Sequence, residues 1–363
     1  MNATAPLVDL LGARWVAQAP VLEVVWNANS DYAAFALGDG TLAFAAGRWE
    51  GGPQLKPHAT RGIELIHPQA PPPPVARFAV HDGVCLSLAS DPAGGFLSAG
   101  DDGRLVHLDI DGNSNLLAAL PGNWIDAVAA SRSGWRAYAS GRRVCISGKQ
   151  SHELSLPAPA GCLAFDTTGE RLAIAHQGGV TIWSAATGAS RLLAWPGFHR
   201  VVAWSPDGRY VVTGMQENAL HGWRLPDGDD IEMADYPLQP RALSFSADGH
   251  LLVTSGGERP VCWRFDPPRG APPQHCGGTS KSPVTCVVCH PTLTMIAVGY
   301  HDGAVLLCQP GGTDVLFVKG RGGAPVVALA WSPDGGRLAF GTESGEMALV
   351  YLPHALFRIE NTR

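Results

Sequence analysis

Charged residues are scarce in this chain, and their scarcity excludes one class of partner. Lys, Arg, Asp and Glu make up 16% of the 363 residues, the formal net charge is -6, and no run of Lys or Arg occurs. A protein that follows a phosphate backbone needs a concentrated basic surface. We therefore expect no nucleic-acid partner.

Long apolar runs are also lacking. No window approaches the roughly 20 apolar residues that cross a bilayer, and the first residues have neither a basic start nor a continuous apolar core. The eight cysteines have no framework spacing, which is typical of reduced thiols in a cytosolic protein. We expect a cytoplasmic protein without a membrane partner, and the Ala- and Gly-rich composition favours a bacterial source.

Turn-forming residues are abundant, with 44 Gly and 29 Pro, and many turns imply many short elements. The clearest pattern lies at residues 201–224. There an apolar strand ends at Ser205-Pro206-Asp207-Gly208, and two further apolar strands follow. Pro presets φ, Asp binds the nearby backbone, and Gly accepts positive φ. The pattern predicts antiparallel strands joined by tight turns.

The same pattern recurs along the chain. When the last residue of each first strand is taken as a marker, subtraction gives intervals of 64, 40, 35, 39, 41, 44 and 42 residues. All but the first interval are close to the roughly 40 to 45 residues of a four-stranded propeller blade. We number the units repeats 1 to 8 by these markers. The markers are Trp26, Ser90, Ala130, Phe165, Trp204, Phe245, Cys289 and Trp331.

The repeats resemble those of the WD-repeat family over essentially the whole chain, and repeat 2 carries the best match. Residues 81–83 stand where the family has its Gly-His dipeptide, Ser98 and Asp102 match its serine and tight-turn aspartate, and residues 108–109 replace Trp-Asp. The resemblance implies a hydrogen-bonded network of His81, Ser98 and Asp102 that braces this blade. The other repeats lack the histidine, which predicts looser blades there.

The period and the resemblance predict an all-β fold, a single closed β-propeller over residues 1–363 with eight four-stranded antiparallel blades. Seven blades are the alternative. The apolar strand at residues 14–17 has no blade of its own, so we expect it to become the outer strand of the last blade. The long first interval contains a Pro-rich insertion, residues 47–75, which we expect to form an extended surface loop.

The resemblance also indicates where a partner binds. In this family the loops that enter each first strand and the turns between the second and third strands share one rim. Aromatic residues and Arg often anchor protein interfaces. We predict a non-catalytic scaffold that binds a protein or peptide on this rim or at the channel mouth. The predicted binding face comprises Trp124, Trp195, Phe198, His199, Arg200, Tyr236, Arg241 and His301.

We expect no cofactor, but a zinc site at the rim of repeat 7 is the alternative, and it would make the protein a metal-binding or metal-trafficking accessory factor. Thiolates and imidazoles are the usual zinc ligands. Cys286 and Cys289 have the spacing of a half-site, but residues three apart on a strand point to opposite faces. The candidate ligands are His275, Cys276, Cys289, His290, His301 and Asp302.

A hydrolase or lactonase with its site in the channel is the second alternative. The sequence has no G-x-x-x-x-G-K-[ST] phosphate loop and no G-x-S-x-G motif between a strand and a helix. Single acidic residues occur in the rim turns, but exposed hairpin turns contain such residues anyway. We therefore expect that the protein is not an enzyme.

Overall fold

The computed structural model describes residues 5–58, 62–265, 272–278 and 280–357, without the side chains of residues 57, 58, 62 and 63. In these ranges the helices are α1 (Leu7–Leu11) and a 3-10 turn (His354–Phe357). Neither is long or apolar enough to span a membrane. All other regular elements are strands.

The first half of the chain holds repeats 1 to 4, preceded by β1 (Gly12–Val16). Repeat 1 consists of β2 (Val21–Trp26), β3 (Tyr32–Leu37), β4 (Thr41–Ala46), the inserted hairpin β5 (Gln54–His58) and β6 (Gly62–Ile66), and β7 (Ala76–Ala79). Repeat 2 consists of β8 (Cys85–Ser90), β9 (Phe96–Gly100), β10 (Arg104–Leu108) and β11 (Ser114–Ala119). Repeat 3 consists of β12 (Ala127–Ala130), β13 (Arg136–Ser140), β14 (Arg143–Ser147) and β15 (Ser151–Ser155). Repeat 4 consists of β16 (Ala160–Phe165), β17 (Arg171–Ser184) and the first part of β18 (Ser190–Trp204).

The second half holds repeats 5 to 8. Repeat 5 consists of the second part of β18, β19 (Tyr210–Met215), β20 (Leu220–Arg224) and β21 (Asp230–Met233). Repeat 6 consists of β22 (Leu243–Phe245), β23 (Leu251–Thr254), β24 (Val261–Arg264) and β25 (Gln274–His275). Repeat 7 consists of β26 (Val284–Cys289), β27 (Ile296–Tyr300), β28 (Val305–Cys308) and β29 (Val315–Lys319). Repeat 8 consists of β30 (Val326–Trp331), β31 (Arg337–Thr342) and β32 (Glu346–Tyr351).

The first strands of the repeats form a closed ring. Each contacts the first strand of the next repeat, and β30 of repeat 8 contacts β2 of repeat 1. The N-terminal β1 pairs antiparallel with β32, so that Gly12 lies opposite Val350 and Val16 opposite Glu346. The prediction that an N-terminal strand completes the last blade is therefore confirmed. Closure of this kind pairs the otherwise single N-terminal strand and leaves short, protected sheet edges.

The predicted β-propeller is confirmed, and hydrogen bonding divides its described blades into seven sheets, the alternative number. Six of these sheets have four strands and one has six. The six-stranded sheet contains repeats 4 and 5, because β18 belongs to both. At its start Ser190 lies opposite Trp183, and at its end Trp204 lies opposite Val211. Two of the eight sequence repeats thus share one continuous strand instead of forming separate sheets.

The core lies between neighbouring sheets, which explains why the middle strands read as continuous apolar runs. Every residue of β9, β19, β27 and β31 is buried. Trp26 and Phe35 of repeat 1, for example, pack in one cluster with Met347 of repeat 8. Burial of each such side chain contributes about 2 kcal/mol. The sheets are therefore held together around the ring by side-chain packing between faces.

The predicted turn chemistry between first and second strands is present. In the turn at residues 205–208, Ser205 Oγ lies 2.6 Å from Asp207 Oδ1 and accepts a hydrogen bond from the Tyr210 amide at 2.9 Å. Gly208 has φ +66°, a value that favours glycine. These turns lie at the rim opposite the second-to-third-strand turns, and we call this side the lower rim and the other the upper rim.

The insertion at residues 47–75 does not form the predicted extended loop. It contains the hairpin of β5 and β6, and Leu55 and Leu65 on that hairpin pack against the core of repeats 7 and 8. The proline run lies outside the strands, and the Pro73 carbonyl accepts a hydrogen bond from Trp15 Nε1 at 2.9 Å. The hairpin forms because its apolar residues can bury themselves against the last blade.

Candidate functional site at the channel mouth

Repeat 2 contains a buried polar network beneath the upper rim. His81 Nδ1 donates to the Asp102 carboxylate at 2.9 Å, and Ser98 Oγ lies 2.8 Å from His81 Nε2. Burial alone would raise the pKa of Asp102. Hydrogen bonds from the Arg104 amide, His81 and the Asp82 amide outweigh burial and lower this pKa. The three residues singled out in the sequence are thus in direct contact.

Repeats 5 and 6 have related networks built from different residues. Ser98 lies opposite Leu88, two residues before the marker of its repeat, and Thr213 and Thr254 occupy the same register position. Each of these hydroxyl groups is buried and bonds a ring side chain. Repeats 5 and 6 therefore have buried networks although they lack the family histidine, and the expectation that such blades are looser stays a prediction.

In repeat 6 the ring side chain is Tyr236, a member of the predicted binding face. Its hydroxyl lies 2.7 Å from Thr254 Oγ1 and accepts a hydrogen bond from Trp263 Nε1. Burial raises the pKa of Tyr236 to about 12, although both hydrogen bonds lower it. Tyr236 is therefore part of the blade interior and is not accessible to a partner.

In repeat 5 the ring side chain is His199, another residue of the predicted binding face. It is 1% exposed, and its ring bonds Thr213 Oγ1 at 2.7 Å and the Trp195 carbonyl at 3.1 Å. Trp195 is half-buried and stacks on His221 with ring centroids 3.7 Å apart. Burial lowers the pKa of His199. His199 braces repeat 5 because both of its ring nitrogens find partners inside the blade.

Exposed side chains occur at the fourth residue before several markers, which we call the mouth position. The first strands line the ring, and the pairing register changes next to this position in most repeats. Its side chain is exposed in repeats 1, 2, 5 and 6, whereas Val327 of repeat 8 packs against the core. In ring order the mouth position holds Leu22, Leu86, Asp126, Gly161, Arg200, Arg241, Thr285 and Val327.

Arg200 and Arg241 lie side by side at the mouth positions of repeats 5 and 6, and both are exposed. They line a cavity of about 500 Å³ together with Val201, Gln216 and Gln239. Arg200 donates from Nη2 to Gln216 Oε1 at 2.8 Å, and Arg241 donates from Nε to Gln239 Oε1 at 3.2 Å. Two neutral amides thus hold the two guanidinium groups at the cavity wall.

Neither guanidinium group is neutralised by the protein. Among the described residues, no carboxylate forms an ion pair with Arg200 or Arg241. The Glu217 carboxylate, next to Gln216 in the sequence, binds a backbone amide instead: it accepts from the Phe198 amide at 3.0 Å. The positive charge of the pair therefore faces the cavity.

The other exposed members of the predicted face lie at different places on the upper rim. Phe198 is 40% exposed and lies beside Arg200, whose Cζ is 5.8 Å from the ring centroid. Trp124 is 62% exposed in the loop before β12, and His301 is exposed in the turn after β27. The structure thus brings together three of the predicted residues, Phe198, Arg200 and Arg241. Sequence reasoning missed Gln216 and Gln239, although both fall in upper-rim segments.

Comparisons with known proteins agree with this architecture. The family model described as anaphase-promoting complex subunit 4 WD40 domain matches residues 287–355. These residues cover most of repeats 7 and 8, in a ring whose repeats have the same register. The chain is a β-propeller, and part of it is similar to a WD40 domain.

A solved structure shows the same fold over nearly the full chain. The crystal structure of the computationally designed Ika8 protein is 15% identical, with a TM-score of 0.68, and the match covers 94% of this chain and 99% of that one. At this identity the likeness shows the fold alone. No curated protein matches the sequence at a significant level.

The zinc ligands proposed for repeat 7 do not converge in this propeller. His301 follows β27 at the upper rim, whereas His290 follows β26 at the lower rim, because the two strands are antiparallel. A strand of this length separates its ends by about 17 Å. His290 is buried and bonds the Gly335 carbonyl at 2.9 Å. The expectation that Cys289 and His290 lie near His301 and Asp302 is therefore wrong.

The remaining candidate ligands are engaged differently. Cys276 forms a disulfide with Cys262, so the expectation that all eight cysteines are reduced is not met. Burial raises the pKa of Cys289 to about 12, and its thiol contacts the Ser244 carbonyl. His275 is exposed on β25. The described residues contain no group of three or more His, Cys, Asp or Glu side chains placed to hold a metal ion.

One acidic side chain in the channel wall is absent from the sequence-based predictions. Glu23 follows the mouth position of repeat 1 and accepts a hydrogen bond from the Leu88 amide of repeat 2 at 2.8 Å. Burial raises the pKa of Glu23 to about 7, although this hydrogen bond lowers it. Other repeats have Ser87, Cys162 or Val201 at this position. Only the register of the first strands reveals the equivalence, so no sequence motif marks Glu23.

Proposed function

We propose that this protein is a non-catalytic scaffold that binds a protein or peptide at the channel mouth of repeats 5 and 6. The observation that carries the proposal is the pair of exposed guanidinium groups, Arg200 and Arg241, at one cavity without a carboxylate partner. WD-repeat propellers are commonly protein-interaction scaffolds and are typically not enzymes. Exposed Arg and aromatic side chains on a rigid frame are typical interface anchors.

The frame behind the pair supports the proposal, because a preformed site loses less entropy on binding. The amides of Arg241 and Ala242 both donate to the buried Ser255 hydroxyl at 3.0 Å. Arg200 follows His199, whose ring is fixed by Thr213. The backbone beneath both guanidinium groups is therefore held by buried hydrogen bonds.

The alternatives have less support. The zinc function depended on convergence at the rim of repeat 7, and the described ligands there lie at opposite rims. The hydrolase function needs acids and bases that converge in the channel. Two acidic residues of the described first-strand segments, Glu23 and Asp126, lie in different repeats, and each accepts a hydrogen bond from a backbone amide. The cytoplasmic location and the bacterial source stay predictions from composition.

A photocrosslinking residue placed at Gln239, beside the pair, tests the scaffold in the native cell. A matched protein carries the same residue at Asp207, in an exposed turn of the lower rim. We expect discrete crosslinked species from position 239 that disappear in the Arg200→Gln, Arg241→Gln background. Crosslinks that arise only from position 207, or that persist without both arginines, would contradict the proposed mouth.

A further inference from the structure

We propose that the segment bound at this mouth is acidic, and that Arg200 and Arg241 hold an Asp or Glu carboxylate of a protein or peptide partner. The proposal rests on the proposed function and specifies its ligand chemistry. Its starting point is the charge of the site. Two guanidinium groups line one cavity, none of the described carboxylates forms an ion pair with them, and the Glu217 carboxylate accepts a hydrogen bond from the Phe198 amide.

The hydrogen-bonding capacity of the pair supports a carboxylate. A guanidinium group has five N–H donors in a planar fork. The structure uses Nε and Nη2 of Arg200 on Gln216, and Nε of Arg241 on Gln239. The other donors have no acceptor in the described protein and are free for a ligand. A carboxylate with two acceptor oxygens fits such a fork with paired hydrogen bonds.

The shape of the site admits a side chain with its flanking backbone. The cavity of about 500 Å³ lies within the range of small-ligand sites. On the repeat 4 side, the mouth position is Gly161, which has no side chain to fill the space beside Arg200. An ideal Cβ at Gly161 would lie 2.7 Å from the His199 carbonyl oxygen. The close approach of these strands therefore requires glycine and leaves the entrance to the cavity open.

The other mouth positions favour a short acidic segment over a polyanion as the ligand. Beyond the pair, the ring continues with the uncharged Thr285, Val327, Leu22 and Leu86, and only then with Asp126 of repeat 3. A nucleic acid would need a continued basic track. A peptide with one or two carboxylates among uncharged residues is complementary to two guanidinium groups beside an uncharged wall.

A peptide-display selection tests this chemistry directly. Random peptides of about 12 residues are selected on the full-length protein, and clones that also bind the Arg200→Gln, Arg241→Gln variant are removed. The control variant Arg191→Gln, Arg209→Gln removes two exposed guanidinium groups from the outer edge and the lower rim. Circular dichroism and thermal unfolding establish that the variants fold.

We expect the retained clones to contain roughly twice the Asp and Glu of the input library. A synthetic peptide of their consensus should lose about tenfold in affinity when its acids are replaced by Asn and Gln, and about tenfold on the mouth variant. The control variant should bind it as the wild type does.

Two results would overturn the proposal and are distinguishable. If the clones that depend on the arginine pair are not enriched in Asp and Glu, the proposed carboxylate ligand is refuted. The scaffold function and its binding site would still stand. If no clone distinguishes the wild type from the mouth variant, the arginine pair is not a binding site, and the proposed function falls with it.

Discussion

The two sides of the channel mouth differ in chemistry although they share one backbone position. Repeats 1 and 2 present Leu22 and Leu86, which are 39% and 37% exposed, and repeats 5 and 6 present Arg200 and Arg241. All four residues stand four positions before their markers. The repeat fixes where this side chain points, and its identity is free to vary. Binding specificity in this propeller can therefore reside in a few substitutions at equivalent positions.

The buried hydrogen-bond networks beneath the two sides show the opposite relation, because different residues stabilise equivalent parts of the blades. Repeat 2 uses His81, Ser98 and Asp102, whereas repeat 6 joins Tyr236 to Thr254 and Trp263. A buried hydroxyl at one register position is common to both. Networks of this kind tolerate exchange of their members as long as each buried polar atom keeps a partner.

The largest effect that we expect comes from removal of that shared hydroxyl. Thr254→Val should lower the free energy of unfolding by about 2 kcal/mol, because the Tyr236 hydroxyl loses a buried hydrogen-bond partner. Urea denaturation measures the change. Ile174→Val is the control, since Ile174 occupies the same register position in repeat 4 without a hydroxyl, and it should cost about 1 kcal/mol. Equal costs for the two substitutions would contradict a stabilising network in repeat 6.

A pH-dependent effect should arise beside the apolar side of the mouth. The pKa of Glu23 is raised to about 7 in the folded protein by burial, from an ordinary value near 4.5. The folded state then binds more protons than the unfolded state between these values, so ionisation of Glu23 destabilises the fold as pH rises.

Glu23→Gln should therefore stabilise the protein relative to the wild type, and this gain should grow by about 2 kcal/mol between pH 5 and pH 8. Urea denaturation of both proteins at the two pH values gives the comparison, with pH 5 as the internal control. A constant difference would mean that Glu23 is ionised in the channel as readily as in water.

The smallest effect should come from the apolar side of the mouth itself. Leu22→Gln with Leu86→Gln should weaken binding of the consensus peptide by about threefold, less than the tenfold loss expected for the arginine pair. Stability should change by less than about 0.5 kcal/mol per site, because both side chains are exposed. Fluorescence anisotropy of the labelled peptide measures this difference. Loss of binding equal to that of the arginine variant would mean that both sides contribute alike.

Much of the fold could be predicted from local sequence. This part depends on residues that are close together in the sequence. It includes the turn at residues 205–208, the interval between markers and the unpaired strand at residues 14–17. The union of repeats 4 and 5 could not be predicted, because Pro196 and Gly197 indicate a loop there. The structure includes both residues in β18, where Gly197 adopts φ +120° and the pairing register with β17 shifts.

The candidate site was also predictable only in part, because the sequence shows residue types and not the orientation of their side chains. Arg200, Arg241 and Phe198 were identified because their residue types are typical of interfaces. His199 and Tyr236 have the same kind of side chain, but the threonines that bind them lie on neighbouring strands. Their inward orientation depends on strand register, which the sequence does not show. The separation of His290 from His301 likewise follows from the direction of β26 and β27.

Hydrogen–deuterium exchange on the full-length protein, with and without the selected consensus peptide, tests the central claim most directly. We predict slower exchange in the upper-rim segments 196–201, 216–219 and 237–242, and unchanged exchange in the lower-rim turns 91–95 and 205–209. The Arg200→Gln, Arg241→Gln variant should show no slowing with the same peptide. Slower exchange confined to the lower rim, or equal slowing in the variant, would contradict a binding site at the mouth of repeats 5 and 6.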